Sequence, residues 1–240
     1  METIDVGGIP VGLYSSKDEV VSELLKSLGE GEAPTAIAIN PEKVISAKED
    51  EGVLRILLSA DVRYADGIGV VKVLKRKNAG SKSINRIPGC ELWETLMEES
   101  GIRDIPVYLV GARPDVLDKT CSKLKEQYST PIVGATDGFY SDEVTVISQI
   151  KNSGAKIVTV AMGSPKQESF IAKCKGNGVS AIFMGVGGTY DVYTGTVLRA
   201  PELARKWGLE WFYRLSLQPK RVFRQTKLFK FVWLYILRQL

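Results

Sequence analysis

Five short segments hold most of the side chains that could do chemistry: Asn40-Pro-Glu-Lys43, Ala65-Asp66-Gly67, Gly111-Ala-Arg113, Gly163-Ser-Pro-Lys-Gln167-Glu168 and Gly185-Val-Gly-Gly-Thr-Tyr-Asp191. None contains histidine, because the 240-residue chain has none. That excludes Ser-His-Asp and Cys-His nucleophile systems, His-ligated zinc and imidazole proton shuttles. Acid–base work would fall to a carboxylate, Lys, Tyr or Cys. Asp66 stands before a glycine and a helical run, where it reads as a helix N-cap or as a base for a substrate hydroxyl. Residues 185–191 let backbone approach a ligand, or simply make a tight turn. They are not G-x-G-x-x-G, since Tyr190 replaces the third glycine, and no Walker motif occurs. Asp191 could accept hydrogen bonds from a base or ribose. Gln167 either completes a capping box begun at Ser164 or belongs to a loop that offers helix N–H groups to phosphate. Arg86 precedes Ile-Pro-Gly in a stretch of little periodicity, which surface solvation alone would explain. No D-x-D pair occurs, so no bridging Mg²⁺, and no other metal or cofactor, is expected. Arg, Lys and backbone N–H groups would have to neutralise any bound phosphate.

Strands must end just before these segments to present them together. Apolar, β-rich runs at 36–39, 62–64, 107–110, 132–133, 157–161 and 181–184 alternate with helical patterns. The helices begin at caps. Ser16-Lys-Asp-Glu19 is a capping box, and Asn40-Pro41 puts a cap before proline at the first helical position. Arg113-Pro114-Asp115 and Ser164-Pro165-Lys166-Gln167 repeat that arrangement. The pattern predicts an α/β fold, a Rossmann-like, mainly parallel sheet with helices on both faces. Ligands bind such sheets outside the carboxyl ends of the strands, where all five segments fall. No repeat or linker divides residues 1–202, read as one body, and residues 203–240 read as a C-terminal helical appendage.

That appendage is basic and aromatic. It carries +8, nine Lys/Arg against Glu210 alone, which leaves −4 on residues 1–202. It also holds nine of the twenty aromatic residues, including Trp207, Trp211 and Trp233. Such asymmetry suits an anionic partner. Interleaved aromatic and basic residues could stack bases, but residues 227–238 are apolar on all sides over their last two turns. Trp, Tyr, Lys and Arg around an apolar segment is the composition of an interfacial helix beside anionic lipid. The expected partner is therefore an anionic membrane surface and no nucleic acid; docking on the protein's own core is the alternative. The longest wholly apolar run, Phe231 to Leu237, is far too short for a span, and no signal peptide opens the chain. Cys90, Cys121 and Cys174 form no CxxC pair and read as reduced cytosolic thiols.

The segments Ala38-Ile-Asn-Pro-Glu-Lys43, Tyr64-Ala-Asp-Gly67, Val160-Ala-Met-Gly-Ser-Pro-Lys-Gln-Glu168, Met184-Gly-Val-Gly-Gly-Thr-Tyr-Asp191, Arg199-Ala-Pro201 and Gly208-Leu-Glu-Trp-Phe-Tyr-Arg214 together closely resemble the WecG/TagA/CpsF glycosyltransferase family over nearly the whole chain. The resemblance implies sugar transfer from a UDP-sugar to a polyprenyl-diphosphate-linked acceptor by a peripheral protein on the cytoplasmic face of the plasma membrane. The implied acceptor is undecaprenyl-diphosphate-linked N-acetylglucosamine. By position, Asp66 matches the family's general base, and Asn40, Arg86, Gln167 and Asp191 match its donor-site residues. Gly187, Gly188 and Tyr190 are counted with that site. Arg214, Arg221 and Arg224 match tail arginines expected near the lipid diphosphate or leaving group. The wording Tyr-Ala-Asp-Gly and Ile-Asn-x-Glu-Lys is most similar to the WecG branch, the N-acetylmannosaminuronic acid transferases of enterobacterial common antigen. The TagA branch, implying UDP-N-acetylmannosamine, commonly has threonine where this chain has Ala38. A uronate donor needs a cation in its pocket, and Lys43, one turn beyond Asn40, is the candidate; otherwise it is a solvated helix lysine. Two rival classes remain, an NAD-type oxidoreductase and a non-enzymatic membrane adaptor. The oligomeric state stays open, a homo-oligomer included.

Overall fold

A computed structural model of the protein describes residues 2–31, 33–80, 83–198, 201 and 222–240. The chain opens with an antiparallel hairpin of β1 (Thr3–Asp5) and β2 (Pro10–Gly12), turned by Gly7 and Gly8 at φ +66° and +94°. Strands of three residues are too short to show alternation, so the sequence did not announce them. Six further strands follow: β3 (Thr35–Ile39), β4 (Val62–Ala65), β5 (Val107–Gly111), β6 (Ile132–Thr136), β7 (Ile157–Ala161) and β8 (Ile182–Gly185). They are the six predicted ones. All pair in parallel, in the order β4-β3-β8-β7-β5-β6.

Helices cover both faces. Alternate strand residues point to opposite sides. Ala36, Tyr64, Leu109, Ile157 and Met184 join α1 (Lys17–Gly29), α5 (Gly89–Ile102), α6 (Pro114–Tyr128) and α9 (Thr189–Tyr193) in one cluster. On the other face, Ile37, Ile39 and Ala65 meet α2 (Pro41–Glu49), α3 (Glu51–Leu58) and α4 (Ile68–Lys77). There Val110, Val158, Val160 and Phe183 meet α7 (Glu143–Asn152) and α8 (Lys166–Gly176). With neither face in water, β5 and β7 are buried at every residue, which is why they read as unbroken apolar runs.

Two predicted caps form. Ser16 accepts from the Glu19 N–H at 3.2 Å, and Asn40 Oδ1 accepts from the Lys43 N–H at 2.9 Å with Pro41 at the first helical position. Two others do not. Helix α4 has Gly67, not Asp66, at its N-cap, with no side-chain cap. Helix α8 has Pro165 at its N-cap, and Ser164 caps nothing. The Gln167 N–H there bonds to the Gly163 carbonyl at 3.0 Å, so the capping box expected at Ser164 is replaced by a backbone turn.

The described part of the appendage holds α10 (Val222–Ile236), which lies on α2 and α4. Phe231 and Leu240 are buried in the cluster of α2 and the hairpin. Gly69 is small because Phe231 covers it, a Cβ there standing 3.0 Å from the ring. Lys230 pairs with Glu49 at 2.6 Å, and the Arg76 guanidinium lies 4.1 Å over the Tyr235 ring while donating to the Tyr235 carbonyl. Docking on the protein's own core is thus realised on one side. On the other, Phe229 (69 % exposed), Val232, Trp233 (63 %), Ile236 (65 %) and Leu237 form one apolar stripe at helical spacing. No helix among the described residues is long and apolar enough to cross a membrane.

Candidate active site

The strand order reverses between β3 and β8, and an open sheet parts into a crevice at such a switch point. A cleft of about 620 Å³ lies there, at the carboxyl ends of β3, β4, β7 and β8. Asn40, Lys43, Asp66, Arg86, Gln167, Gly187, Gly188 and Asp191, drawn from segments up to 151 positions apart, all line it. The fold therefore brings eight of the predicted site residues into one cavity.

Asp66 forms the wall at β4. Its N–H continues the ladder to the Ile39 carbonyl, and its carboxylate stays about a quarter exposed. Arg86 grips it twice, donating from Nε to the Asp66 carbonyl at 2.8 Å and from Nη2 to Oδ1 at 3.3 Å. Arg86 is therefore built into the site and is not a solvated surface residue. It sets a cation beside a half-open carboxylate, the arrangement needed where a proton leaves a hydroxyl and negative charge gathers nearby.

The floor is a buried polar network that sequence reasoning did not assemble. Glu168 is almost fully buried, and its Oε1 accepts from Lys43 Nζ at 2.8 Å and from Gln167 Nε2 at 3.1 Å. Burial pushes the Glu168 carboxyl up, but the Lys43 ammonium and the bonds from Lys43 and Gln167 outweigh it, so the group is held below its ordinary value. Gln167 Oε1 in turn accepts from the Gly187 N–H at 2.9 Å. A Cβ at Gly185 would stand 2.5 Å from Gln167 Nε2, so the glycine is what admits this side chain. Lys43 is thus neither a solvated lysine nor a spare cation. Its charge is matched by Glu168, 125 residues away.

Tyr190 departs from its expected place. It is fully buried, its hydroxyl lies 2.6 Å from Thr159 Oγ1 and 3.0 Å from the Thr159 carbonyl, and its ring packs 5.5 Å from Trp93. It anchors α9 beneath the loop and does not line the cleft, because the turn that exposes Asp191 sends its neighbour inward. Arg214 and Arg221 lie outside the described residues, as does the side chain of Arg224. From α10, Lys227 reaches the cleft instead, donating to Ser46 Oγ at 2.7 Å with Glu49 3.7 Å away. Lys227 was visible in the sequence only as one basic residue of the appendage. Among the described residues no three of His, Cys, Asp and Glu gather closely enough to hold a metal ion.

The model of the glycosyl transferase WecG/TagA/CpsF family matches residues 4–240. The chain belongs to that family. It is accordingly a glycosyltransferase, which implies a sugar donor and an acceptor.

Proposed function

We propose that the protein is an inverting transferase that moves N-acetylmannosaminuronic acid from UDP to undecaprenyl-diphosphate-linked N-acetylglucosamine, a lipid-linked intermediate of enterobacterial common antigen. The observation that carries the reading is that Asp66 and Lys227 line one cleft, the second on a helix with an apolar outer stripe. In the acceptor a single sugar separates the attacking hydroxyl from the lipid diphosphate. A base for that hydroxyl and a cation for that diphosphate must therefore be close together, beside a surface that lipid can cover. The stripe of α10, with Trp233 at its centre, is the interfacial face expected of such a helix, which would hold the protein on the inner face of the plasma membrane.

In the proposed step Asp66 takes the proton of the acceptor hydroxyl as its oxygen bonds to the anomeric carbon. The bond from that carbon to UDP breaks, with inversion. Arg86, joined on the family's pattern by Arg214, Arg221 and Arg224, stabilises the charge on departing UDP without a metal. Asn40, Gln167, Gly187, Gly188 and Asp191 hold the donor. One observation favours a second reading, UDP-N-acetylmannosamine as donor: Lys43, the cation meant for a uronate, is already neutralised by Glu168. A donor screen with a soluble diphospholipid analogue, following UDP release and product stereochemistry with and without EDTA, tests all of this. Release from the uronate donor supports the first reading and release from the neutral donor the second. Failure to bind UDP overturns both.

A further inference from the structure

Tyr64 sits on β4 two positions before Asp66, so the two side chains leave the chain toward the same side, and both line the cleft. Tyr64 is fully buried, yet its hydroxyl has no hydrogen-bond partner among the described residues. A buried hydroxyl left unpaired costs stability, so a phenylalanine would pack this space better. The phenol borders the carboxylate. A Cβ on Gly89, the first residue of α5, would stand 3.2 Å from Tyr64 Oη and 3.6 Å from Asp66 Oδ2. The titratable groups facing it are Asp66, just past the end of β4, and Cys90 in the first turn of α5, with Arg86 bonded to the carboxylate. Burial first, then the charges of Asp66 and Cys90, push the phenol well above its ordinary value, so it stays a neutral donor at any working pH.

We propose that Tyr64 is a positioning residue for Asp66: when substrate fills the cleft, the phenol donates to Oδ2 and, with Arg86 on Oδ1, fixes the carboxylate that takes the acceptor's proton. The inference rests on Asp66 being the base. Arg86 already holds the Oδ1 side, and Tyr64 supplies the second anchor, as a third group commonly orients a catalytic base. A hydrogen bond to an ionised carboxylate also favours its charged form, keeping Asp66 competent at lower pH.

Tyr64→Phe is the test, read by thermal melting and by the pH profile of turnover. The expected result is an unchanged or higher Tm, kcat down about tenfold or more, donor KM unchanged, and the acid limb of the profile moved up by about one pH unit. Gly89→Ala crowds the phenol without deleting it and should move the same limb in the same direction. Wild-type kcat and acid limb in Tyr64→Phe would overturn the proposal, as would a lowered Tm with the limb unmoved, which marks a merely structural tyrosine. Asp66→Asn separates the two failures. If that variant keeps wild-type turnover, the base assignment fails; if it is inactive while Tyr64→Phe is normal, only the role of Tyr64 fails.

Discussion

Replacing Lys43 with methionine should unfold the floor of the cleft. The Lys43 side chain is 10 % exposed and that of Glu168 1 %, so the carboxylate left behind could not reach water. It would keep the bond from Gln167 and one from its own backbone, while Oε2 already has no partner. Breaking a buried ion pair from one side costs about 3–5 kcal/mol, which in a chain this size lowers Tm by on the order of 10 °C. The pH dependence fixes the cause. In the wild type the Glu168 carboxyl is held below 4.5, so its contribution is present above the unfolded value and lost only as pH falls through the lowered native one. In Lys43→Met burial, the largest influence, is opposed only by the bonds from Gln167 and the Glu168 backbone, and the native value moves above its ordinary one. That carboxyl then binds a proton more readily when folded than when unfolded, so the variant gains stability as pH falls. Urea titrations at pH 7 and pH 5 should show the gap to wild type narrowing toward acid. Lys43→Met/Glu168→Leu, with both charges gone, should recover most of the loss. A Lys43→Met protein within about 1 kcal/mol of wild type at pH 7, or a gap that widens at pH 5, would refute the account of the network.

Asp66→Asn should lower turnover by roughly 10²–10⁴-fold while UDP binding, measured calorimetrically, stays near wild type. Gly185→Ala forces a Cβ onto Gln167, so it should cost about 1–3 kcal/mol in denaturant titrations and weaken UDP binding through the displaced Gly187 loop. Trp233→Asp/Ile236→Asp alters only the exposed stripe of α10; sedimentation with anionic vesicles should be lost while turnover on a water-soluble acceptor persists. Equal vesicle binding by that variant would remove the stripe from the membrane account.

What one sequence can carry here follows from the range of the forces involved. The six sheet strands were legible because burial on both faces demands unbroken apolar runs, and that demand is local. The caps at Ser16 and Asn40 were legible because a cap is made within four residues. Asp66 and Gln167 were open between cap and site on the same local rules. Which residue stands at each N-cap was decided by the backbone turn at Gly163 and by Gly67, details of geometry that composition does not encode. Tyr190 and Asp191 are neighbours with opposite fates, one in the core and one on the cleft, because successive residues of α9 point about 100° apart around the helix axis.

Residue types and order by themselves determined that this protein is a parallel α/β sheet with a basic aromatic helix, that no imidazole serves it, and that its polar segments follow its strands. Only the tertiary structure decided that Lys43 belongs to Glu168, that Tyr64 stands unpaired beside Asp66, and that α10 brings Lys227 to the cleft while turning Trp233 outward. Each of these joins residues on different elements or depends on which side of an element is covered. Strand order and helix docking create such contacts, and they exist only once the sheet has closed around them.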